Sequence, residues 1–354
     1  MPSPITYVSL QEAKRPLYFG VDVGGTSTKI GLVDDNGSSI DLKEFDENND
    51  HQTVAKIVTE REPKDATTAM ARELHRLLDK HSLSVKDIAG VGLGIPGTMD
   101  VKKQCLRRPP NLPEWDGFPI CNELTKESQM PVVFCNDANA AAFGEYWVGS
   151  AKGESSIALL TLGTGIGCGI IIDGKTVGGA IGYGGECGHI IVDIDENAKI
   201  CGCGQRGHLE IYASATGVAR RTIALTDTKK SSLRSKITPE TKLGEIPKMV
   251  GEEAKNGDAV ALEIIQEAAR YLGIGIVSLL NTIDPSCVLL GGAMTFGGKG
   301  SPIGDQYLAW VRDEINTRGF QAIAEAVRLD FAVLGGDAGY IGAAGHARKV
   351  MGDK

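Results

Sequence analysis

The sequence predicts an α/β fold in two domains, and three observations carry that expectation. Apolar strands alternate with helix-patterned stretches from Leu17 onward, the order that lays helices on sheets. A strand, glycine loop, strand unit near the start returns near the middle of the chain. Finally, 354 residues are more than one small domain needs.

The elements follow in order. Residues 17–24, LYFGVDVG, read as an apolar strand that runs into glycine, and 29–34, KIGLVD, as a second strand. Asn36-Gly37 then supplies a hairpin turn. Helical periodicity covers 50–82, including Ala71, Leu74, Leu77 and Leu78. A buried-type strand at 88–95, IAGVGLGI, is closed by Pro96-Gly97, and PVVFC at 131–135 ends on Asn136-Asp137 before an Ala-rich helix through Trp147. The chain then repeats its opening. IALLTLGTGIGCGIIIDG at 157–174 parallels YFGVDVGGTSTKIGLVDDNG in strand, Gly/Thr-rich loop, strand and closing turn. Glycine-rich hairpins can resemble one another by chance. The glycine and threonine shared at the same place favour a duplicated architecture, its hairpins facing across a cleft.

Residues 225–247 are polar and predict an exposed loop or insertion. A long helical pattern spans 252–281, and strand 287–290, CVLL, ends in Gly291-Gly292. The remaining elements are a helix near 303–326, a strand near 329–334 and a Gly/Ala-rich helix from about 337 to 350. No linker rich in Pro or Ser divides the chain, so the domains are expected to meet at a hinge within the ordered fold.

Composition narrows the function classes. A formal net charge of -8 gives no general attraction to nucleic acid. The first residues lack the apolar core of a signal peptide, and no apolar run reaches membrane-spanning length, which leads us to expect a cytoplasmic protein without membrane contact. Eight cysteines in a chain of this size are expected as reduced thiols, and Cys201-Gly202-Cys203 reads better as metal ligands than as a bridge.

Three loops carry candidate chemistry. In Asp22-Val23-Gly24-Gly25-Thr26-Ser27-Thr28-Lys29, glycines let backbone N–H groups approach phosphate oxygens, while Thr26 and Lys29 add a hydroxyl and a cation. Asp22 at the strand end suits a hydrated Mg²⁺. A strand follows this loop rather than a helix, so neither a Walker loop nor a dinucleotide fingerprint fits. Alone, such a hairpin is equally plain turn chemistry. Gly163-Thr164-Gly165-Ile166-Gly167 can present N–H groups to the same phosphate chain, and Gly291-Gly292 offers a flat surface to an adenine ring. Three glycine-rich strand ends favour a nucleotide site over any one of them.

Phosphoryl transfer to an alcohol needs a base for the hydroxyl proton. Asp137, just past a buried strand, is that candidate, and an ordinary helix N-cap is the equal alternative. Asn136 beside it offers a donor and an acceptor to a polyol. Downstream, His189 of GGECGH joins Cys201, Cys203 and His208 of CGCGQRGHLE, a set suited to tetrahedral structural zinc. Four protein ligands leave no open position, so such a metal is architectural. It would hold together Glu186, His189 and Glu210, three groups able to bind hydroxyls. His189 can serve both, one ring nitrogen on the metal and the other on a hydroxyl.

Together DVGGTSTK, GIPGTMD, NDANAAAFGEYWVG, LGTGIGCGIIIDG, GGECGH, CGCGQRGHLE and LGGAM, in this order from Gly20 to about Gly345, resemble the ROK family of bacterial sugar kinases, its glucokinases especially. The resemblance implies a two-domain fold of the actin, Hsp70 and hexokinase (ribonuclease H-like) type with an interdomain cleft. The smaller N-terminal domain would span 17–134, completed by the helix at about 337–354, and the larger one, with the zinc motif, 135–336. It implies ATP with Mg²⁺ held by Asp22, Gly24, Gly25, Thr26, Lys29, Thr164 and Gly165, with Gly291 and Gly292 flanking the adenosine. Asp137 would be the base on the sugar 6-hydroxyl. Gly97, Asn111, Asn136, Glu186, His189 and Glu210 would bind the other hydroxyls. A homodimer is implied by the resemblance alone. The family's zinc motif is a His followed by three Cys; here His208 stands at the third Cys position, which changes the metal's geometry and affinity.

Other classes are weighed on residues. Family members that repress transcription carry an N-terminal helix-turn-helix, and only about twenty residues precede Asp22, fewer than a DNA-reading helix pair takes. A sugar-binding sensor without catalysis is an alternative, although Asp137 and both phosphate loops are in place. GGECGH with Glu210 argues against an Hsp70-like ATPase. Among sugars, glucose is the first expectation. Fructose, mannose, N-acetylmannosamine and N-acetylglucosamine stay open, as does polyphosphate as donor. Closure of the domains over the sugar is expected to exclude water and keep ATP hydrolysis slow without it.

Overall fold

Strand β2 (Leu17–Val23) organises the first half of the molecule, because its two faces do different work. In this computed structural model, which describes residues 5–41, 54–100, 103–107, 109 and 112–352, Leu17, Phe19, Val21 and Val23 point into one apolar core. That core is filled by Met70, Leu74, Leu77 and Leu78 of helix α1 (Pro63–Lys80) and by Ile120 and Leu124 of α2 (Ile120–Ser128). The alternate residues Tyr18, Gly20 and Asp22 lie on the opposite face by the period-2 rule of strands. There Tyr18 packs with Tyr340, Ile341, Ala344 and Ala347 of the C-terminal helix α11 (Ala338–Gly352).

The sheet runs β1 (Tyr7–Val8), β4 (Ser39–Ile40), β3 (Ser27–Val33), β2, β6 (Ile88–Ile95), β9 (Val132–Asn136), with β5 (Ala55–Val58) antiparallel on β3. β2 and β3 form an antiparallel hairpin in which Asp22 faces Lys29. β6 runs parallel to β2, with Asp22 beside Gly94, and β9 runs parallel to β6, with Asn136 beside Ile95. Three parallel strands therefore end together, at Asp22, Ile95 and Asn136. Ligands of open α/β sheets bind beyond such carboxyl ends.

Helix α11 lies directly on these strands. A Cβ on Gly20 would stand 1.8 Å from the carbonyl oxygen of Tyr340, and one on Gly92 1.7 Å from that of Ala343. Both glycines are thus required by the close approach of helix backbone to strand. Helix α3 (Asp137–Trp147) docks on α11 through equally small residues: a Cβ on Gly342 would lie 1.6 Å from the Ala140 carbonyl oxygen. Small β7 (Thr98–Asp100) and β8 (Cys105–Arg107) pair antiparallel just after Gly97.

The chain divides by packing into two compact units: residues 1–154, 169–184 and 333–354 in one, and 155–168 with 185–332 in the other. The extents expected from the sequence divide it at 134/135 instead, ahead of α3. Packing keeps α3 in the first unit because its alanines and glycines have α11 as their partner.

In the second unit β13 (Cys287–Gly291) lies between β10 (Ser156–Leu162) and β14 (Arg328–Phe331), parallel to both. β10 turns through Gly163–Gly165 into β11 (Ile166–Ile172); the division falls within β11, after Cys168, so its far end and β12 (Lys175–Thr176), which pair antiparallel across Asp173-Gly174, are counted with the first unit. The second copy of the hairpin is therefore built like the first. Helices α4 (Leu209–Ala213), α5 (Ala215–Thr226), α6 (Leu233–Lys236), α7 (Ile246–Lys255), α8 (Ala259–Ile283), α9 (Pro302–Arg318) and α10 (Gln321–Ala326) complete the unit.

Four expectations about elements are corrected. The start of the 50–82 pattern holds strand β5, and the helix begins at Pro63, a residue suited to the first helical turn. The pattern at 252–281 is two helices, parted at Asn256-Gly257, where Gly257 has φ +84° and Asp258 caps α8 by accepting from the N–H groups of Val260 and Ala261. Likewise 303–326 breaks at Gly319, between α9 and α10. Residues 225–247 are largely exposed, as expected, yet are not a plain loop, since they hold α6 and pack in part. Leu233 is fully buried, and Ser231 and Ser232 donate to the Asp258 carboxylate at 2.9 and 2.8 Å.

Candidate active site

The first unit gathers its candidates at the strand ends. Between β2 and β3 the turn is closed by the Gly24 N–H donating to the Ser27 carbonyl oxygen at 3.0 Å, which leaves Gly25 and Thr26 exposed. Thr59, just past β5, braces this turn from below: its hydroxyl donates to the Gly24 carbonyl oxygen at 2.8 Å and its N–H to that of Thr26 at 3.1 Å. Lys29 Nζ donates to the Gly336 carbonyl oxygen at 2.5 Å and lies 3.5 Å from the Asp337 carboxylate. Asp22 is covered by α11, where a Cβ on Gly339 would come within 2.4 Å of its Oδ2. Burial, then the charge of Asp137, pushes the Asp22 carboxyl up to about 6, against a smaller opposing pull from Lys29.

At the end of β9 the two readings of Asp137 separate. Asn136 is the N-cap of α3, its side-chain oxygen accepting from the N–H groups of Ala138 at 3.0 Å and Asn139 at 3.2 Å. Asp137 is the first helical residue and so is not needed as the cap, although its Oδ1 also accepts from Ala138 N–H at 2.9 Å. Burial raises its carboxyl above the ordinary range, and the backbone hydrogen bonds pull it back in part. Asn136 Nδ2 donates to the Gly97 carbonyl oxygen at 3.2 Å, which brings these two candidate residues side by side. Asn111 lies outside the described residues.

The second unit holds the other candidates. The Nδ1 atoms of His189 and His208 are 3.1 Å apart; Cys203 Sγ is 3.2 Å from His208 Nδ1, and Cys201 Sγ is 3.8 Å from His189 Nδ1. All four ligand atoms lie within 4.8 Å of one another. Zinc bonds of about 2.0–2.3 Å set neighbouring ligand atoms of a tetrahedron about 3.3–3.8 Å apart, so this donor set fits zinc. His189 turns its other nitrogen outward: Nε2 stands 3.8 Å from the Glu186 carboxylate.

Glu210 joins this cluster to the glycine loop. Its Oε2 accepts the Ile166 N–H at 3.0 Å, and Cys201 Sγ lies 3.6 Å from its Oε1. A Cβ on Gly165 would fall 2.2 Å from the same carboxylate, so any side chain there would push Glu210 away from the loop. The loop is also pinned by α5 and its first turn, through Ala215 N–H to the Gly163 carbonyl oxygen at 2.9 Å and Thr216 Oγ1 to that of Thr164 at 2.7 Å.

Beside Thr164 opens a cavity of about 430 Å³, walled by Pro247, Lys248 and Gly251 of α7 and by Met294 and Phe296 past β13. Gly291 and Gly292 are not in its wall. Gly292, at φ +89°, turns the chain so that Met294 N–H can donate to the Leu162 carbonyl oxygen at 3.0 Å. Sequence reasoning missed the α7 wall, Thr59 and Asp337. For Asp337 a signal existed: Gly335-Gly336-Asp337 is a further glycine pair with an acid beyond a strand, like the loops already singled out.

Among the described residues no helix is long and apolar enough to cross a membrane. The architecture is that of the actin-like ATPases. It superposes on a ROK hexokinase from Thermus thermophilus with a TM-score of 0.75 at 28% identity, covering 96% of this chain and 100% of that one. A ROK family glucokinase from Streptomyces griseus, solved in complex with glucose and AMPPNP, superposes with a TM-score of 0.71 at 30% identity over 94% of this chain and 99% of its own. The profile of the ROK family matches residues 18–350, and the chain belongs to that family. Within it, a glucokinase from Halalkalibacterium halodurans is 36% identical over 326 residues, 92% of this chain and 93% of its own length. A xylose repressor from Caldicellulosiruptor bescii is 30% identical over 262 residues, 74% of this chain and 63% of the repressor.

Proposed function

We propose that this protein is an ATP-dependent hexose kinase, with glucose as its sugar and Asp137 as the general base. The observation that carries the base is the division of roles at the start of α3. Asn136 does the capping, which releases Asp137, and burial makes Asp137 a stronger proton acceptor than a surface carboxylate. The preference for glucose rests on the glucokinases among the relatives.

In this reading the exposed N–H groups of Gly25 and Thr26, with Lys29, hold the phosphates of MgATP, and Asp22 faces its cation. Apolar walls at Met294, Phe296 and Pro247 suit a purine, which supports a nucleotide over bare polyphosphate as donor. Asn136 and Gly97 orient the acceptor sugar for Asp137 to take its 6-hydroxyl proton. Glu186, the outward Nε2 of His189 and Glu210 bind its remaining hydroxyls. Zinc on His189, Cys201, Cys203 and His208 would supply a cross-link between the 186–189 turn and the 201–210 loop.

The test is ADP release with ATP and Mg²⁺ across a panel of hexoses and N-acetylhexosamines, on wild type and Asp137→Asn. Glucose should give the highest kcat/KM, and the variant should lose turnover. No stimulation by any sugar sinks the kinase. The resemblance to a xylose repressor favours one other reading, a sugar-responsive regulator, which would bind a sugar without releasing ADP.

A further inference from the structure

Glu145, in the last turns of α3, is fully buried at 0% exposure. A carboxylate taken out of water is tolerated when its oxygens are hydrogen-bonded. Here both oxygens are engaged. Oε1 accepts the N–H groups of Val333 at 2.8 Å and Leu334 at 2.7 Å. Oε2 accepts the N–H of Ser150 at 2.8 Å and its hydroxyl at 2.9 Å. Four donors converge on one side chain, and only an acceptor without hydrogens of its own satisfies them all. The chain makes room for it at Gly149, where a Cβ would fall 2.2 Å from Oε2.

What Glu145 holds matters more than how it is held. Val333 is the first residue of the returning segment of the first unit. Directly after Leu334 comes the short turn Gly335–Asp337, then α11. That turn is where Lys29 is anchored, through the Gly336 carbonyl oxygen at 2.5 Å and the Asp337 carboxylate at 3.5 Å. Gly339, two residues on, closes over Asp22. A shift of Val333 and Leu334 would therefore move the carbonyl and the carboxylate that aim Lys29.

We propose that Glu145 is a positioning residue for nucleotide phosphate binding: by fixing the backbone at Val333 and Leu334 it sets where the Gly335–Asp337 turn holds Lys29. The proposal rests on reading the β2–β3 hairpin as the triphosphate loop. Asp137 begins the same helix, so one rigid element carries the base at its first residue and the anchor of the phosphate-side lysine near its last.

The test is calorimetric binding of AMPPNP with Mg²⁺, and separately of glucose, to the full chain. Glu145→Gln puts an NH₂ group among four donors; we expect AMPPNP binding about tenfold weaker or more, the loss that follows when a charge-assisted hydrogen bond is weakened, with glucose affinity unchanged. Ser150→Ala, which removes a single donor and keeps the fold, should shift AMPPNP in the same direction by less. In a Lys29→Met background, Glu145→Gln should have little further effect. Wild-type AMPPNP affinity in Glu145→Gln, equal losses for AMPPNP and glucose, or the same loss with and without Lys29 would each overturn the proposal. Should wild type bind AMPPNP while no sugar stimulates ADP release, the kinase reading fails and the proposal for Glu145 stands. If AMPPNP does not bind wild type at all, both fail.

Discussion

Replacing Asp22 by Asn is expected to stabilise the ligand-free first unit while weakening MgATP binding. The carboxyl is pushed up to about 6 from the ordinary 3.8, chiefly by burial and next by the charge of Asp137. Folded protein therefore holds this proton more tightly than the unfolded chain does. Well below pH 3.8 both states are protonated and nothing is lost. As pH rises from there the unfolded chain ionises first, so stability falls, and the full cost is present above pH 6. A difference of that size corresponds to ~3 kcal/mol. Asn has the same shape, fits under Gly339 and carries no charge to desolvate.

The assay is urea unfolding from pH 4 to pH 8 in a chain with Trp310→Phe. Of the three tryptophans that leaves Trp115 and Trp147, both in the first unit, as reporters. The gap between Asp22→Asn and its parent should be ~0.5 kcal/mol at pH 4 and grow to ~3 kcal/mol by pH 7. Mg²⁺ with AMPPNP should stabilise the parent and not the variant. A variant no more stable than its parent at pH 7.5, or a gap that does not change with pH, refutes the reasoning.

Three further outcomes are expected. Asp137→Asn should lower kcat by about 10²–10⁴ with sugar affinity retained, and wild-type kcat/KM should fall as pH drops through the raised pKa of Asp137; a flat acid limb removes it as the base. His208→Ala should lose zinc by metal analysis and lower the unfolding midpoint by about 3–5 °C, the shift that roughly 1–2 kcal/mol makes in a unit of this size, whereas His208→Cys should keep the metal. Gly165→Ala must displace the Glu210 carboxylate, 2.2 Å from the added atom; we expect ~1–3 kcal/mol of destabilisation read from Trp310 emission, with both sugar and AMPPNP bound more weakly.

Much of the first unit was legible because its signals are local. Apolar runs ending at Asp22, Ile95 and Asn136 mark parallel strands without any knowledge of their partners. The donor spacing of His189, Cys201, Cys203 and His208 marks a metal site in the same way. Breaks at Asn256-Gly257 and Gly319 were also written in the sequence, as a turn pair and a lone glycine, but the helical pattern on either side hid them. Contacts made at long range were not legible. Thr59, Asp337 and Glu145 act on residues 35, 308 and 188 positions away in the chain, respectively; only Asp337, beside Gly335-Gly336, carries a local sign of its role, and even that does not name Lys29 as its partner. The α7 wall was missed for a related reason: nothing in the sequence around Lys248 and Gly251 points to Met294 and Phe296 on the facing wall.

On the proposed reading of the two hairpins as phosphate loops, both units solve one physical problem in similar terms. A phosphate-binding hairpin needs exposed N–H groups, and exposed glycine turns are floppy unless something stiff lies behind them. In the first unit the stiffener is a hydroxyl and a turn: Thr59 holds the loop carbonyls, and the Gly335–Asp337 turn holds Lys29. In the second it is a carboxylate, Glu210, fastened to Ile166 N–H on one oxygen and facing Cys201 on the other. Glu210 and Glu145 differ in burial but share a consequence. Each fixes backbone next to a loop proposed to contact ligand, so on that reading each is a group whose loss would be felt at the ligand before it is felt in the fold. For Asp137 this means that its rigidity comes from Asn136 at one end of α3 and from the Glu145 anchor near the other. Held at both ends of its helix, the proposed base keeps its buried position at the end of β9, and that burial is what raises its pKa.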